Sequence, residues 1–290
     1  MPGASAEITA FFEKMTSTVT YIVADPASRD AAVIDSVLDF DAASGHTATA
    51  SAEAVAQAVA ERGLHVVWLL ETHVHADHLS AAPWLRERLG GRIGIGEGIR
   101  DVQARFGTLF NAEPTFGRDG RQFDHLFADG ERFAIGALEG RVMATPGHTS
   151  ADITYLIGDA AFVGDTLFMP DYGTARADFP GGDARALYRS IHRILDLPPR
   201  TRIFTCHDYC APGRTQHAWE STVAEQRAGN VHVHDGIDEA AFVALRTARD
   251  AKLAMPKLLI PAVQVNMRAG ELPPPEENGV RYLKIPVNTL

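Results

Sequence analysis

The run Thr72-His73-Val74-His75-Ala76-Asp77-His78 sets three imidazoles and a carboxylate within six residues, directly after the apolar stretch Val66-Val67-Trp68-Leu69-Leu70. Donors of this mixed nitrogen and oxygen kind suit Zn, Fe or Mn better than Ca or Mg. The apolar stretch reads as a buried strand of a parallel sheet. The ligands then fall at its carboxyl end, the edge where open α/β layers collect their binding sites. Leu79 to Leu89, with Leu85 and Leu89 four apart, reads as the following helix.

Three further pieces complete a metal site: Pro146-Gly147-His148-Thr149, Gly164-Asp165-Thr166 and Cys206-His207-Asp208. Each follows an apolar segment that reads as a strand, over Arg141 to Thr145, Ala160 to Val163 and Arg202 to Thr205. Four strand ends thus bring seven candidate ligands to one edge. Glycine beside His148 and Asp165 allows a sharp turn and a close backbone approach. Upstream, Thr18 to Asp25 and Ala31 to Asp35 read as strands joined by a turn at Asp25-Pro26-Ala27-Ser28. Ser51 to Arg62 reads as a helix with Ala54, Val55, Ala58 and Val59 on one face.

In this order the pieces resemble the metallo-β-lactamase superfamily, whose ligand set is matched by His73, His75, Asp77, His78, His148, Asp165 and His207. The resemblance implies an α/β fold: an αβ/βα sandwich of two mixed sheets with helices outside. In a two-metal member, His73, His75 and His148 would hold one ion, Asp77, His78 and His207 the other, with Asp165 bridging. Within the superfamily, Tyr172-Gly173-Thr174-Ala175-Arg176-Ala177-Asp178-Phe179 resembles the Gly-x-x-Arg-x-Asp-Phe segment of persulfide dioxygenases. Segments around Phe12, Glu71, Ala144, His207 and Val265 to Gly270 lean the same way. The match fails over Gly98 to Phe127 and beyond Glu271, where the Pro-rich Leu272 to Pro275 turn and a last apolar strand are expected.

That resemblance implies one non-haem Fe(II) held by His73, His148 and Asp165, leaving His75, Asp77, His78 and His207 to orient ligands and waters. The implied reaction joins glutathione persulfide, O2 and water to give sulfite and glutathione. A substrate with two carboxylates and an ammonium calls for cationic forks and phenols, for which Tyr172, Arg176, Tyr209, Arg214 and Arg268 are the candidates. The alternative is a di-zinc glutathione thioester hydrolase resembling glyoxalase II, for which all seven ligands are present. A binding protein using the metal structurally fits less well, because a structural site is closed by protein ligands.

With 290 residues and 46% hydrophobic content, the chain reads as one domain over 1–290 with a C-terminal extension. No apolar run has membrane-spanning length, and Met1 to Thr18 is interrupted by Glu7, Glu13 and Lys14, so a cytoplasmic protein is expected. A net charge of -10 argues against a nucleic-acid surface. Cys206 and Cys210 read as thiols buried near the site. Oligomeric state stays open, with a homodimer one option. His46, His65, His125, His192 and His217 are isolated in sequence, and His232 and His234 read as surface strand neighbours.

Overall fold

A computed structural model describes residues 5–289. The first half of the chain runs β1 (Glu7–Glu13), β2 (Thr18–Ala24), β3 (Asp30–Ile34), β4 (Val37–Asp41), β5 (His46–Ala48), α1 (Ala50–Glu61), β6 (His65–Leu70), β7 (Leu79–Ser80), α2 (Ala82–Leu89), β8 (Arg92–Gly96), α3 (Ile99–Leu109) and β9 (His125–Phe127). The second half runs β10 (Arg132–Ile135), β11 (Leu138–Ala144), β12 (Ile153–Ile157), β13 (Ala160–Phe162), α4 (Ala184–Leu195), β14 (Arg202–Phe204), β15 (Glu220–Thr222), α5 (Val223–Gly229), α6 (Glu239–Asp250) and α7 (Leu259–Asn266). One six-stranded sheet has the order β1-β2-β3-β6-β8-β9 and the other β10-β11-β12-β13-β14-β15. Both are mixed: β3, β6, β8 and β9 run parallel, as do β13 and β14, and the remaining pairs are antiparallel.

Strand periodicity builds the layers. On β2, Tyr21 and Val23 enter the core between the sheets while Ile22 and Ala24 face α1, α2, α3 and α7. On β3, Ala32 and Ile34 go inward and Ala31 and Val33 outward. Opposite them, Val142, Tyr155, Ile157, Phe162 and Phe204 close the inner core, and α4, α5 and α6 cover the far face of the second sheet. Strands buried on both faces explain the near-continuous apolar runs in the sequence. The result is the αβ/βα sandwich that the sequence leads one to expect.

Local readings differ in four places. Leu79–Ser80 pairs with β4 and the helix starts only at Ala82, because Ser80 N–H is taken by the Asn266 side chain at 2.8 Å. The buried face of α1 is Ala52, Val55 and Val59, with Ala54 exposed. His232 lies in a turn, not a strand, and is buried, accepting the Thr174 N–H at 3.0 Å through Nδ1. Beyond Gly270 no strand forms among the described residues: Pro273, Pro274, Pro275 and Pro286 lack donors, and Val280, Ile285 and Val287 stay exposed.

Candidate metal centre

The strand ends converge at one edge of the sandwich. Residues 71–78 follow β6, His148 follows β11, Asp165 follows β13 and His207 follows β14. Two glycines permit this crowding. Gly164 has φ +52°, and a Cβ there would stand 2.6 Å from Thr72 Oγ1; at Gly147 a Cβ would strike the Leu187 backbone at 2.3 Å. His73, His75, His78, His148, Asp165 and His207 are all buried.

Each imidazole is held by one nitrogen and free at the other. His73 Nδ1 donates to Thr72 Oγ1 at 3.1 Å, and that hydroxyl donates onward to Asp35 at 2.9 Å. His75 Nε2 donates to Asp35 Oδ1 at 3.0 Å, with Glu71 Oε2 3.2 Å away. His148 Nδ1 donates to the Arg176 carbonyl at 2.9 Å, and His207 Nδ1 to the Ser17 carbonyl at 3.2 Å. His78 Nδ1 faces Asp77 Oδ1 at 3.3 Å. Such hydrogen bonds fix the tautomer and leave a lone pair on the other nitrogen.

Those inward atoms lack partners. His73 Nε2, His75 Nδ1, His78 Nε2, His207 Nε2 and Asp165 Oδ1 are buried without a hydrogen bond. Buried polar atoms normally are paired, so five orphans clustered at this edge fit bound metal. His207 Nε2 stands 2.8 Å from Asp77 Oδ2 but makes no hydrogen bond of proper alignment, as two donors aimed at a third point would do. Donor atoms within 4.8 Å of one another group as His73, His148 and Asp165, and as His75, Asp77, His78 and His207, with Asp165 and His207 also grouped together beside Cys206. Within the first, Asp165 Oδ2 is 3.6 Å from His148 Nε2 and 3.9 Å from His73 Nε2. Donors about 2.1 Å from one ion stand roughly 3 to 3.5 Å apart, so a small contraction closes the triad.

Electrostatics divide the imidazoles: against the effect of burial, Asp35 and Glu71 hold His75 well above the usual histidine range and Asp77 and Asp165 raise His207 to about 9, whereas His73 and His78 favour the neutral form. Burial, then the neighbouring imidazoles, holds His73 well below the usual histidine range, and burial takes His78 down to about 4. Burial pushes the Asp165 carboxyl up, a cost that a cation at its oxygen would offset.

The centre opens into a cleft of about 1030 Å³. Tyr172, Arg176 and Tyr209 line it, together with the metal-edge groups Asp77, His78, His148 and Asp165. Arg176 spends its guanidinium on Asp178 (2.6 Å) and the Ala254 carbonyl (2.6 Å), so it braces the wall. Arg214 and Arg268 do not line the cleft. Arg214 is locked between Asp171 and Asp208, and Arg268 between Glu113 and the Phe116 ring. Sequence reasoning missed Arg249 and Lys257, which line the cleft without an acidic partner among the described residues. Asp35 and Glu71, beneath His75, were missed as well; two buried acids at strand ends beside the histidine run were the available signal. Cys206 is buried with its sulfur within 4.8 Å of Asp165 and His207 donor atoms, whereas Cys210 is only half-buried; both are free thiols. The isolated histidines join no donor group among the described residues, although exposed His46 lies on the cleft rim. No helix among those residues is long and apolar enough to cross a membrane.

Comparison with known proteins agrees with this geometry. The metallo-β-lactamase superfamily model matches residues 16–207. The chain is 58% identical to a protein of Burkholderia pseudomallei named a probable metallo-hydrolase, over 98% of this chain and 99% of that one. It is 47% identical to glyoxylase B2 of Dictyostelium discoideum, over 98% of each. It is 33% identical to the mitochondrial persulfide dioxygenase ETHE1 of Bos taurus, over 94% of this chain and 92% of that one. The solved structure of ETHE1 from Myxococcus xanthus superposes with a TM-score of 0.72 at 31% identity, covering 91% of this chain and all of the other. The fold, the clustered histidines and carboxylates and these similarities together establish that the chain belongs to the metallo-β-lactamase superfamily, with persulfide dioxygenases among its relatives.

Proposed function

We propose that this chain is a persulfide dioxygenase, converting glutathione persulfide, O2 and water to glutathione, sulfite and two protons with one Fe(II) per chain. The observation that carries the reading is the grouping of His73, His148 and Asp165, a two-imidazole, one-carboxylate face. Similarity to ETHE1 in sequence and fold supports it. Fe(II) on such a face supplies redox chemistry and open coordination positions. The protein supplies the rest. Phe168, Phe179 and Leu253 give the cleft apolar walls that exclude water from the reacting sulfur. Tyr172 and Tyr209 offer hydroxyls, and Arg249 and Lys257 are placed to receive the tripeptide carboxylates. His207 Nε2 and Asp77 Oδ2, 2.8 Å apart beside the triad, are placed to orient ligands and water there.

A second reading is favoured by a specific observation. His75 Nδ1, His78 Nε2 and His207 Nε2 are also orphaned, which suits a second ion, and the relative at 58% identity is named a probable metallo-hydrolase, the one at 47% glyoxylase B2. Two ions held by the seven ligands would supply Lewis-acid chemistry for hydrolysing a glutathione thioester. Reconstitution with Fe(II) or Zn(II) after anaerobic purification separates the two. The dioxygenase binds about one iron per chain and leaves S-lactoylglutathione intact, whereas two zinc ions with rapid thioester cleavage would favour the hydrolase.

A further inference from the structure

The superfamily match ends at residue 207, yet α6, over Glu239–Asp250, reaches back to the Thr174–Ala177 loop beside the metal centre. Arg246 is 1% exposed. Its Nη1 donates to the Thr174 carbonyl at 2.9 Å and to Thr174 Oγ1 at 3.2 Å, and its Nη2 donates to Asp250 Oδ1. Asp250 in turn accepts the Ala177 N–H through Oδ2 at 2.9 Å. The pair therefore clamps the loop on both sides of Arg176, whose carbonyl receives the His148 Nδ1 proton at 2.9 Å. A buried ion pair is costly to bury and adds little net stability when an apolar pair could replace it. What an apolar pair could not supply here is a fixed carbonyl position 3 Å from a metal-ligand imidazole.

We infer that Arg246 and Asp250 are positioning residues for the metal centre: through Thr174 and Ala177 they hold the Arg176 carbonyl that keeps His148 protonated at Nδ1 and presents Nε2 to the ion. This rests on His148 being a ligand, which either metal assignment includes, and not on the dioxygenase reaction. Once the clamp is released, the carbonyl drifts, and His148 loses both its orientation and its preference for one tautomer. Groups that hydrogen-bond a ligating histidine typically govern metal affinity by about 10–100-fold. Acting one residue further out, the clamp should govern about tenfold.

The test uses full-length Asp250→Asn, which keeps the shape and removes the charge, and Arg246→Lys, which removes the fork. Phe242→Leu serves as the control. Phe242 is fully buried on the same helix but packs among Leu187, Ile191 and Val233 and makes no loop hydrogen bond. Zn(II) affinity is measured by chelator competition, and the His148 ring is read by nitrogen-15 NMR of the zinc-loaded protein. The expected result is about tenfold weaker zinc binding and a shifted His148 nitrogen signature in both clamp variants. Phe242→Leu should lower the melting temperature and leave zinc affinity within twofold of wild type. Clamp variants with wild-type affinity and an unmoved His148 signal would overturn the inference. So would a control that loses affinity equally, since the loss would then follow stability alone. If Asp250→Asn does not fold, Arg246→Lys alone decides by the same readouts.

Discussion

His75 and Asp35 share a hydrogen bond of 3.0 Å in which neither side chain is more than 3% exposed. Burial would push the Asp35 carboxyl up, but His75 and the Thr72 donors reverse this and leave it below the usual carboxylate range. One carboxylate thereby steers two imidazoles, His75 directly and His73 through Thr72. Asp35→Ala should weaken metal affinity by about 10–100-fold. It should also lower stability, by less than the roughly 3–5 kcal/mol of a wholly broken buried pair, because Glu71 remains 3.2 Å from His75 Nε2. Chelator competition and thermal melts check both, and unchanged metal affinity would remove Asp35 from the centre.

The triad assignment separates the histidines by consequence. Replacing His73, His148 or Asp165 with Ala should abolish iron retention, while Ala at His75 or His78 should leave measurable iron. Elemental analysis of anaerobically purified variants decides. Equal loss at all five positions would contradict the mononuclear arrangement.

Arg249 and Lys257 should act in binding, not in turnover. A charge-assisted hydrogen bond is worth about 1.5–3 kcal/mol, so Arg249→Ala and Lys257→Ala should each raise KM for glutathione persulfide by tenfold or more at constant kcat. Iron content should match wild type. Unchanged KM in both variants would assign the substrate carboxylates elsewhere.

Buried His232 gives a pH dependence of defined sign. Burial first, then the charges of Arg246 and Arg249, lowers it from 6.5 to about 4. The unfolded chain therefore takes up a proton near 6.5 that the native state refuses until about 4. The stabilising contribution is complete above 6.5 and is lost as pH falls toward 4. Between pH 7.5 and 5, wild type should lose more melting temperature than His232→Asn, which keeps an acceptor for Thr174. Parallel melting curves would refute this account of His232.

The parts of the fold that speak in the sequence are those where one interaction dominates. Apolar runs marked β2, β3 and β6 because both faces of each strand are buried. The histidine run located the metal edge because its donors sit within one loop. Long-range pairings stayed silent. Nothing in the sequence says that Arg268 meets Glu113 across 155 positions, or that Arg214 is held by Asp171 and Asp208, and both therefore read as substrate forks. The same holds for Arg246 and Asp250, four apart on a helix like many surface pairs and distinguished only by burial. His232 read as surface for the same reason: its partner, Thr174, lies 58 residues away.

Oxygen consumption by the Fe(II)-loaded enzyme, measured with an electrode alongside sulfite formed from glutathione persulfide, tests the central claim most directly. The reaction proposed requires one O2 consumed for each sulfite released, with the Asp165→Ala protein consuming none. Sulfur oxidation needs a redox metal, whereas thioester hydrolysis needs only water and a Lewis acid. Absence of persulfide-dependent O2 uptake in iron-replete protein that rapidly cleaves S-lactoylglutathione would contradict the dioxygenase assignment.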